Sequence, residues 1–139
     1  MTAFDTDIYS DLVKGIPSIV ARMATVPAKE QFLPIVVVEE VIRGRLNAIR
    51  KAQAGGSRFS LERAYELFAN ALDDMQSLQI LHYTTAADAV YRTLVAAKIR
   101  IGTRDLRIAA ISIAHAAKLA SRNKRDFELI PGLNLEVWN

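Results

Sequence analysis

The segment that most constrains the fold is Phe32-Leu-Pro-Ile-Val-Val-Val38, apolar at every position and followed at once by Glu39 and Glu40. A strand wet on one face alternates polar and apolar side chains. An unbroken apolar run belongs instead to a strand covered on both faces, as in a parallel sheet flanked by helices. Pro34 cannot donate to a ladder, so within such a run it marks a strand start or an edge. A helix is expected next, over about 39–52, with Gly55-Gly56-Ser57 ending it.

Other short apolar segments fall between stretches of helical periodicity. Residues 2–5 (Thr-Ala-Phe-Asp) read as a very short strand ending in an acid. A helix over 7–14 follows, with Ile8, Leu12 and Val13 on one side and Gly15 as its stop. Pro17 suits the first turn of a second short helix reaching about Thr25. Ser60 is placed to cap a long helix to about Met75, with Leu61, Ala64, Leu67, Phe68, Ala71 and Leu72 as its apolar stripe. Residues 78–81 read as a strand. Thr84 or Thr85 would cap a helix that turns Ala86, Ala89, Val90, Leu94 and Val95 inward, and Thr103 would cap another over 104–117. Residues 118–121 and 133–137 read as the last two strands. This alternation predicts one domain over 1–139, an α/β three-layer sandwich around a mainly parallel sheet.

Composition narrows the classes further. A chain of 139 residues, 51% hydrophobic and 24% charged, can bury a core of its own. With no cysteine, disulfides, thiolate metal sites and cysteine nucleophiles are excluded, and the composition suits a reducing cytoplasm. The opening MTAFDTDIYSD has acids where a secretion signal would have a basic end, and no apolar run approaches the roughly 18 residues needed to cross a bilayer, so no membrane role is expected. The net charge of +3 permits a nucleic-acid substrate without requiring one.

The acids are informative by position. Ligands of parallel α/β sheets gather outside the carboxyl ends of the strands. Asp5 is expected at the end of the first strand and Glu39 and Glu40 at the end of the second. Asp105 falls in the first turn of a helix, and Asp126 a few residues beyond the fourth strand. Carboxylates converging there would repel one another unless a cation joined them. Magnesium takes such hard oxygen ligands and keeps waters and substrate phosphates in its shell, which is the basis of metal-assisted phosphodiester hydrolysis. Capping and helix-dipole roles account for the same acids one at a time.

At these residues the sequence resembles the PIN-domain family, specifically VapC-like toxin ribonucleases of type II toxin–antitoxin pairs. Phe4-Asp5-Thr6-Asp7 resembles the family's opening strand and acid. Val37-Val-Glu-Glu40-Val-Ile-Arg-Gly44 resembles its second motif, with Glu40 rather than Glu39 in register. Ile101-Gly-Thr-Arg-Asp105-Leu-Arg-Ile-Ala-Ala110 resembles the segment around its third acid. The ending is carried by Leu119-Ala-Ser-Arg-Asn123-Lys-Arg-Asp126-Phe127, Ile130-Pro-Gly-Leu133 and Glu136-Val-Trp138; over 46–98 the likeness is only helical.

The resemblance implies a PIN-like sandwich, an endoribonuclease dependent on Mg2+ or Mn2+, and RNA cleaved to a 5′-phosphate and a 3′-hydroxyl. It also implies a cognate antitoxin and a homodimer. Asp5, Glu40, Asp105 and Asp126 would be the catalytic metal ligands, with Thr6, Asp7, Ser121 and Asn123 steadying them; turn chemistry accounts for Thr6 and Ser121 equally well. Arg122, Lys124 and Arg125 would hold RNA phosphates or form a solvated loop.

Three features depart from the pattern. Only Thr2 to Phe4 precede Asp5, so the first strand is short and Asp5 less firmly held. Ala120-Ser121 stands where valine and threonine are more usual. The fourth acid is open between Asp126 and the position of Asn123, whose oxygen can also ligate.

His82 and His115 have no ligand spacing and read as structural. Arg43, Arg45, Arg50 and Lys51 read as a solvated helix face, and Phe127 and Trp138 as core. Two other readings remain. Phe4-Asp5-Thr6-Asp7 also resembles the nucleophile loop of haloacid-dehalogenase-like phosphatases, with Asp5 phosphorylated and Asp7 as acid/base. Otherwise the chain is a non-catalytic PIN-like module for binding or dimerisation.

Overall fold

Five short strands, β1 (Thr2–Phe4), β2 (Gln31–Pro34), β3 (Gln79–Leu81), β4 (Lys118–Ser121) and β5 (Leu135–Val137), form one sheet in the computed structural model, which describes residues 1–139. Their order is β3-β2-β1-β4-β5 and every pairing is parallel. The helices are α1 (Thr6–Val13), α2 (Pro17–Ala24), α3 (Ile35–Gln53), α4 (Leu61–Ser77), α5 (Thr85–Ala96), α6 (Thr103–Ala114) and the single turn α7 (Lys124–Phe127). The result is the expected three-layer α/β/α sandwich with a PIN-like arrangement, its sheet parallel throughout. No helix is long and apolar enough to cross a membrane.

The strand order determines where a site can form. The chain lays β2 and β3 to one side of β1, then returns to place β4 and β5 on the other. The order therefore reverses between β1 and β4, and the loops leaving their carboxyl ends diverge to open a crevice. Phe4 pairs with Ala120 in that register, so the residues just beyond them, Asp5 and Ser121, face each other across the crevice.

One hydrophobic cluster runs through both helical layers. It includes Ala3, Phe4, Leu33, Leu119 and Ala120 from the sheet and Ile8, Val37, Leu94 and Ile108 from the helices. Each β1 residue from Ala3 on is fully buried, which explains the absence of polar alternation there.

The long apolar run at 32–38 is not one strand. Strand β2 ends at Pro34, and Ile35 begins α3, with Val36, Val37 and Val41 buried. Pro34 sits at the helix N-cap in extended backbone (φ −58°, ψ 139°). The β1 pairing has already ended at Phe32, so no ladder bond to β1 is missing its donor. A continuous apolar run fits a buried helix as well as a buried strand, and here the chain uses it for both.

Smaller differences follow from packing. Thr103 is the first residue of α6 rather than its cap, which is Gly102. Helix α5 buries Ala87 and Leu94, whereas Ala86 and Ala89 are exposed and Val95 is 47% exposed. On α4 only Ala64 and Ala71 of the expected stripe are buried, and Leu61 and Leu72 are exposed. His115 is indeed structural, its Nε2 lying 3.0 Å from the carbonyl oxygen of His82.

Candidate active site

Asp5 lies at the point where the strand order reverses. Its backbone N–H still belongs to the sheet, donating to Ala120 O at 3.0 Å, while its side chain caps α1 by accepting from Thr6 N at 2.8 Å. The second carboxylate oxygen accepts from the Ser121 hydroxyl at 2.7 Å. Asp5 is only 6% exposed. A short first strand therefore does not leave it loosely held, contrary to expectation: it is fixed from β4 and from its own helix.

Burial pushes the Asp5 carboxyl up to about 7, helped by the nearby charges of Asp7 and, more weakly, Asp105; the Ser121 and Thr6 hydrogen bonds pull the other way. Asp7 is in the first turn of α1 and is not its cap. Its Oδ2 accepts from the Arg122 backbone N–H at 3.0 Å, and its Oδ1 is buried with no partner. Burial raises its pKa, against the Arg122 backbone hydrogen bond.

Asp105, in the first turn of α6, is half-buried. Its pKa rises first through burial, then through the charges of Asp126, Glu40 and Asp7, with Arg104 opposing. Asp5, Asp7, Glu40, Asp105 and Asp126 thus share one electrostatic neighbourhood at the carboxyl edge of the sheet, formed by residues far apart along the chain.

Glu40 does not follow a strand end. It lies in the second turn of α3 and reaches the crevice because α3 packs against α6. Both of its oxygens are engaged, one by the Thr6 hydroxyl and the other by the Arg104 guanidinium. Asp126 is held by Asn123, whose Nδ2 donates to Asp126 Oδ2 at 3.1 Å while its Oδ1 caps α7 by accepting from Asp126 N. Ser121 Oγ also accepts from Asn123 N at 3.0 Å, which links the fourth acid to the first through three hydrogen bonds.

As these side chains stand, no three acids are gathered tightly enough to hold an ion. The donor set nevertheless fits a hard divalent cation. Burial and then the neighbouring carboxylate charges raise the pKa of Asp5 and Asp105, and a buried carboxylate oxygen on Asp7 lacks any partner. Swinging Glu40 away from Arg104 would bring its oxygen free.

Two residues of this neighbourhood went unread in the sequence. Arg104 precedes Asp105 directly, and that adjacency was its signal. Asp11, one helical turn beyond Asp7, is 7% exposed and pairs with the Arg122 guanidinium. Arg122 is thereby committed to α1, whereas Lys124 and Arg125 form no ion pair.

A parallel three-layer sandwich with an acidic crevice between β1 and β4 defines a PIN-like class of protein, and comparison with solved structures agrees. A chain of the VapBC2 complex from Rickettsia felis, bound to a promoter DNA fragment, superposes with a TM-score of 0.76 at 25% identity, covering 99% of this chain and 98% of that one. DNA-bound VapBC from Salmonella typhimurium gives 0.77 at 22% identity, over 99% and 98%. FitAB bound to an IR36 DNA fragment gives 0.81 at 17% identity, over 100% and 96%. No family profile and no curated protein matches the sequence. The likeness to VapC-like PIN domains therefore holds over the whole chain at the level of the fold.

Proposed function

We propose that this protein is a metal-dependent endoribonuclease acting as the toxin of a toxin–antitoxin pair. The observation that carries the reading is the gathering of Asp5, Asp7, Glu40, Asp105 and Asp126 at the reversal of the strand order, where burial, and after it the neighbouring charges, raise the pKa of Asp5 and Asp105. The whole-length likeness to chains of toxin–antitoxin complexes supports the biological context.

In this reading Asp5, Glu40, Asp105 and Asp126 bind Mg2+ or Mn2+, with Asp7 beside them. The cation supplies charge neutralisation and a water of lowered pKa next to the phosphodiester. Ser121 and the Thr6 backbone N–H aim the Asp5 oxygens, and Asn123 aims Asp126. Arg104 at the rim exchanges Glu40 for a phosphate oxygen as RNA enters. The attacking water gives up one proton as its oxygen bonds to phosphorus, the bond from phosphorus to the 3′-oxygen breaks, and that oxygen takes up a proton in exchange. The products are a 5′-phosphate and a 3′-hydroxyl.

A protein antitoxin would cover the crevice, and a homodimer would be the toxin's own assembly. Phosphatase chemistry is the other enzyme reading, with a phosphoryl group on Asp5 and Asp7 as acid/base.

The test is cleavage of single-stranded RNA by the purified protein with Mg2+ or Mn2+, alongside Asp5→Asn and Asp105→Asn. Both variants should fold and lose cleavage. Adding Mn2+ should raise the melting temperature of the parent and not of the variants, because a ligand specific to the folded state stabilises it. Parental cleavage by either variant would refute the assignment. A phosphoryl group trapped on Asp5 would establish the phosphatase, and absence of any cation effect would favour a non-catalytic module.

A further inference from the structure

The acidic crevice continues into an open groove of about 630 Å3 along the exposed side of α3. Glu40 and Arg104 stand at its inner end, and Arg43, Gly44, Asn47 and Arg50 line it outward. Three guanidinium groups and one carboxylate thus line it, and Glu39 on the same helix pairs with Arg43. From Glu40 to Arg50 the helix rises about 15 Å, enough for a short run of phosphates. This surface is distinct from the Arg122-Lys124-Arg125 loop; Arg43 and Arg104 are paired with Glu39 and Glu40 as Arg122 is with Asp11, so Arg50 is the groove arginine with no carboxylate partner.

Gly44 is the second observation. A glycine inside a helix weakens it by about 0.5–1 kcal/mol relative to alanine, and in exchange it lets a ligand come close to the backbone. Nothing in this protein requires it: its φ is not positive, and a Cβ added there meets no atom within 4 Å. It leaves a bare floor in the groove, open to solvent and flanked by Arg43.

The lining chemistry selects among ligands. Leu46 is the single apolar contributor and no aromatic side chain takes part. A protein partner would want apolar or aromatic anchors, and a single strand held by its bases would want rings for stacking, whatever its sequence. Guanidinium groups without either suit the phosphate backbone, which they grip bidentately whatever the base. The tethers of the three arginines, to Glu39, Asn47 and Glu40, hold them in place without burying them.

We infer that the α3 groove binds the phosphate backbone of single-stranded RNA running out of the acidic crevice, with Arg43 and Arg50 as phosphate contacts and Gly44 as the floor under the chain. This rests on the ribonuclease reading for its substrate class.

The test measures binding without cleavage, so that it succeeds or fails apart from that reading. A fluorescent single-stranded RNA of mixed sequence is titrated with the full chain in EDTA over a series of salt concentrations. Arg43→Gln and Arg50→Gln should each weaken binding roughly threefold or more and flatten the dependence of log K on log salt by about 0.7, one lost phosphate contact on a single strand. Arg92→Gln, the same charge change at an α5 ion pair outside the groove, should alter neither. Gly44→Leu has room to fold, and its melting temperature should not fall; it should weaken binding while leaving the salt slope as it was. Parental binding by Gly44→Leu, or equal effects of Arg43→Gln, Arg50→Gln and Arg92→Gln, would overturn the proposal. So would a parent that binds no RNA, or groove variants that bind RNA normally because the groove takes an acidic protein segment. RNA bound in the groove by a protein that never cuts it would refute the nuclease and leave this inference standing.

Discussion

Asp5 carries two opposing demands in one carboxyl group. Burial and the neighbouring Asp7 favour its protonated form and hold its pKa near 7, while Ser121 and Thr6 donate hydrogen bonds that favour the anion. The consequence for stability has a definite sign. The pKa rises on folding from 3.8, so between about pH 4 and pH 7 the folded chain binds more protons than the unfolded one. Stability is then highest below pH 4, as far as Asp5 is concerned, and is lost as pH rises through 7. A shift of this size corresponds to at most about 4 kcal/mol, less where water screens the group. In chelator, Asp5→Asn should therefore raise the melting temperature at pH 8 and flatten its decline between pH 4 and 8. A variant that is less stable than the parent at pH 8 would contradict the account. Asp5 and Asp105 were legible because each stands at the start of a helix within a recognisable motif. The hold of Arg104 on Glu40 was not, because α3 packing against α6 brings together residues 64 positions apart, and no local pattern records that.

Helix α5 shows what apolar periodicity can and cannot decide. Its sequence, Thr-Ala-Ala-Asp-Ala-Val-Tyr-Arg-Thr-Leu-Val-Ala, has small or apolar residues on more than one face. Two phases therefore look alike unless the aromatic ring is counted. The phase adopted uses Ala87, Val90, Tyr91 and Leu94, spaced i, i+3, i+4, i+7. Tyr91 settles it, since Arg107 of α6 lies over its ring at 5.1 Å. The same ambiguity hid the strand-to-helix boundary at Pro34, where an apolar run satisfied both elements in turn. The existence of the longer elements was legible, whereas the single turn α7 was read as loop; phase and boundary depended on partners. The expected outcome is a sharp contrast between adjacent positions. Leu94→Ala removes a side chain 4% exposed and should cost about 2–5 kcal/mol. Val95→Ala trims an exposed one and should stay within about 0.5 kcal/mol. Urea unfolding with an unchanged m value measures both, and similar costs at the two positions would show that the helix is turned otherwise.

For the molecule as a whole, the closing strand matters more than its three residues suggest. The short β5 edge is secured by Trp138, which is 1% exposed and joins parts of the fold that have no backbone pairing with it. Its ring meets Phe4 of β1 edge-on at 5.5 Å, and Arg22 of α2 lies over it at 5.1 Å. The indole Nε1–H donates to Glu136 at 3.1 Å, and Glu136 also pairs with Arg22 and Lys118. Backbone contact completes the hub, since the Trp138 N–H donates to Ser121 O, on the residue that aims Asp5. Its aromatic character placed Trp138 in the core but not at this junction, which only the strand order creates. Trp138→Ala should cost about 3–5 kcal/mol. Domains of this kind have only about 5–15 kcal/mol in total, so the variant should be marginal near physiological temperature. Trp138→Phe keeps an aromatic ring against Phe4 and loses the donor to Glu136, and should fall between the two. Because the substitutions spare the backbone bond to Ser121, variant molecules that remain folded should still be stabilised by Mn2+. Chemical unfolding with and without Mn2+ separates the possibilities. A stability loss that leaves the cation response intact makes Trp138 a structural hub, whereas loss of that response in folded Trp138→Phe would make β5 part of the site.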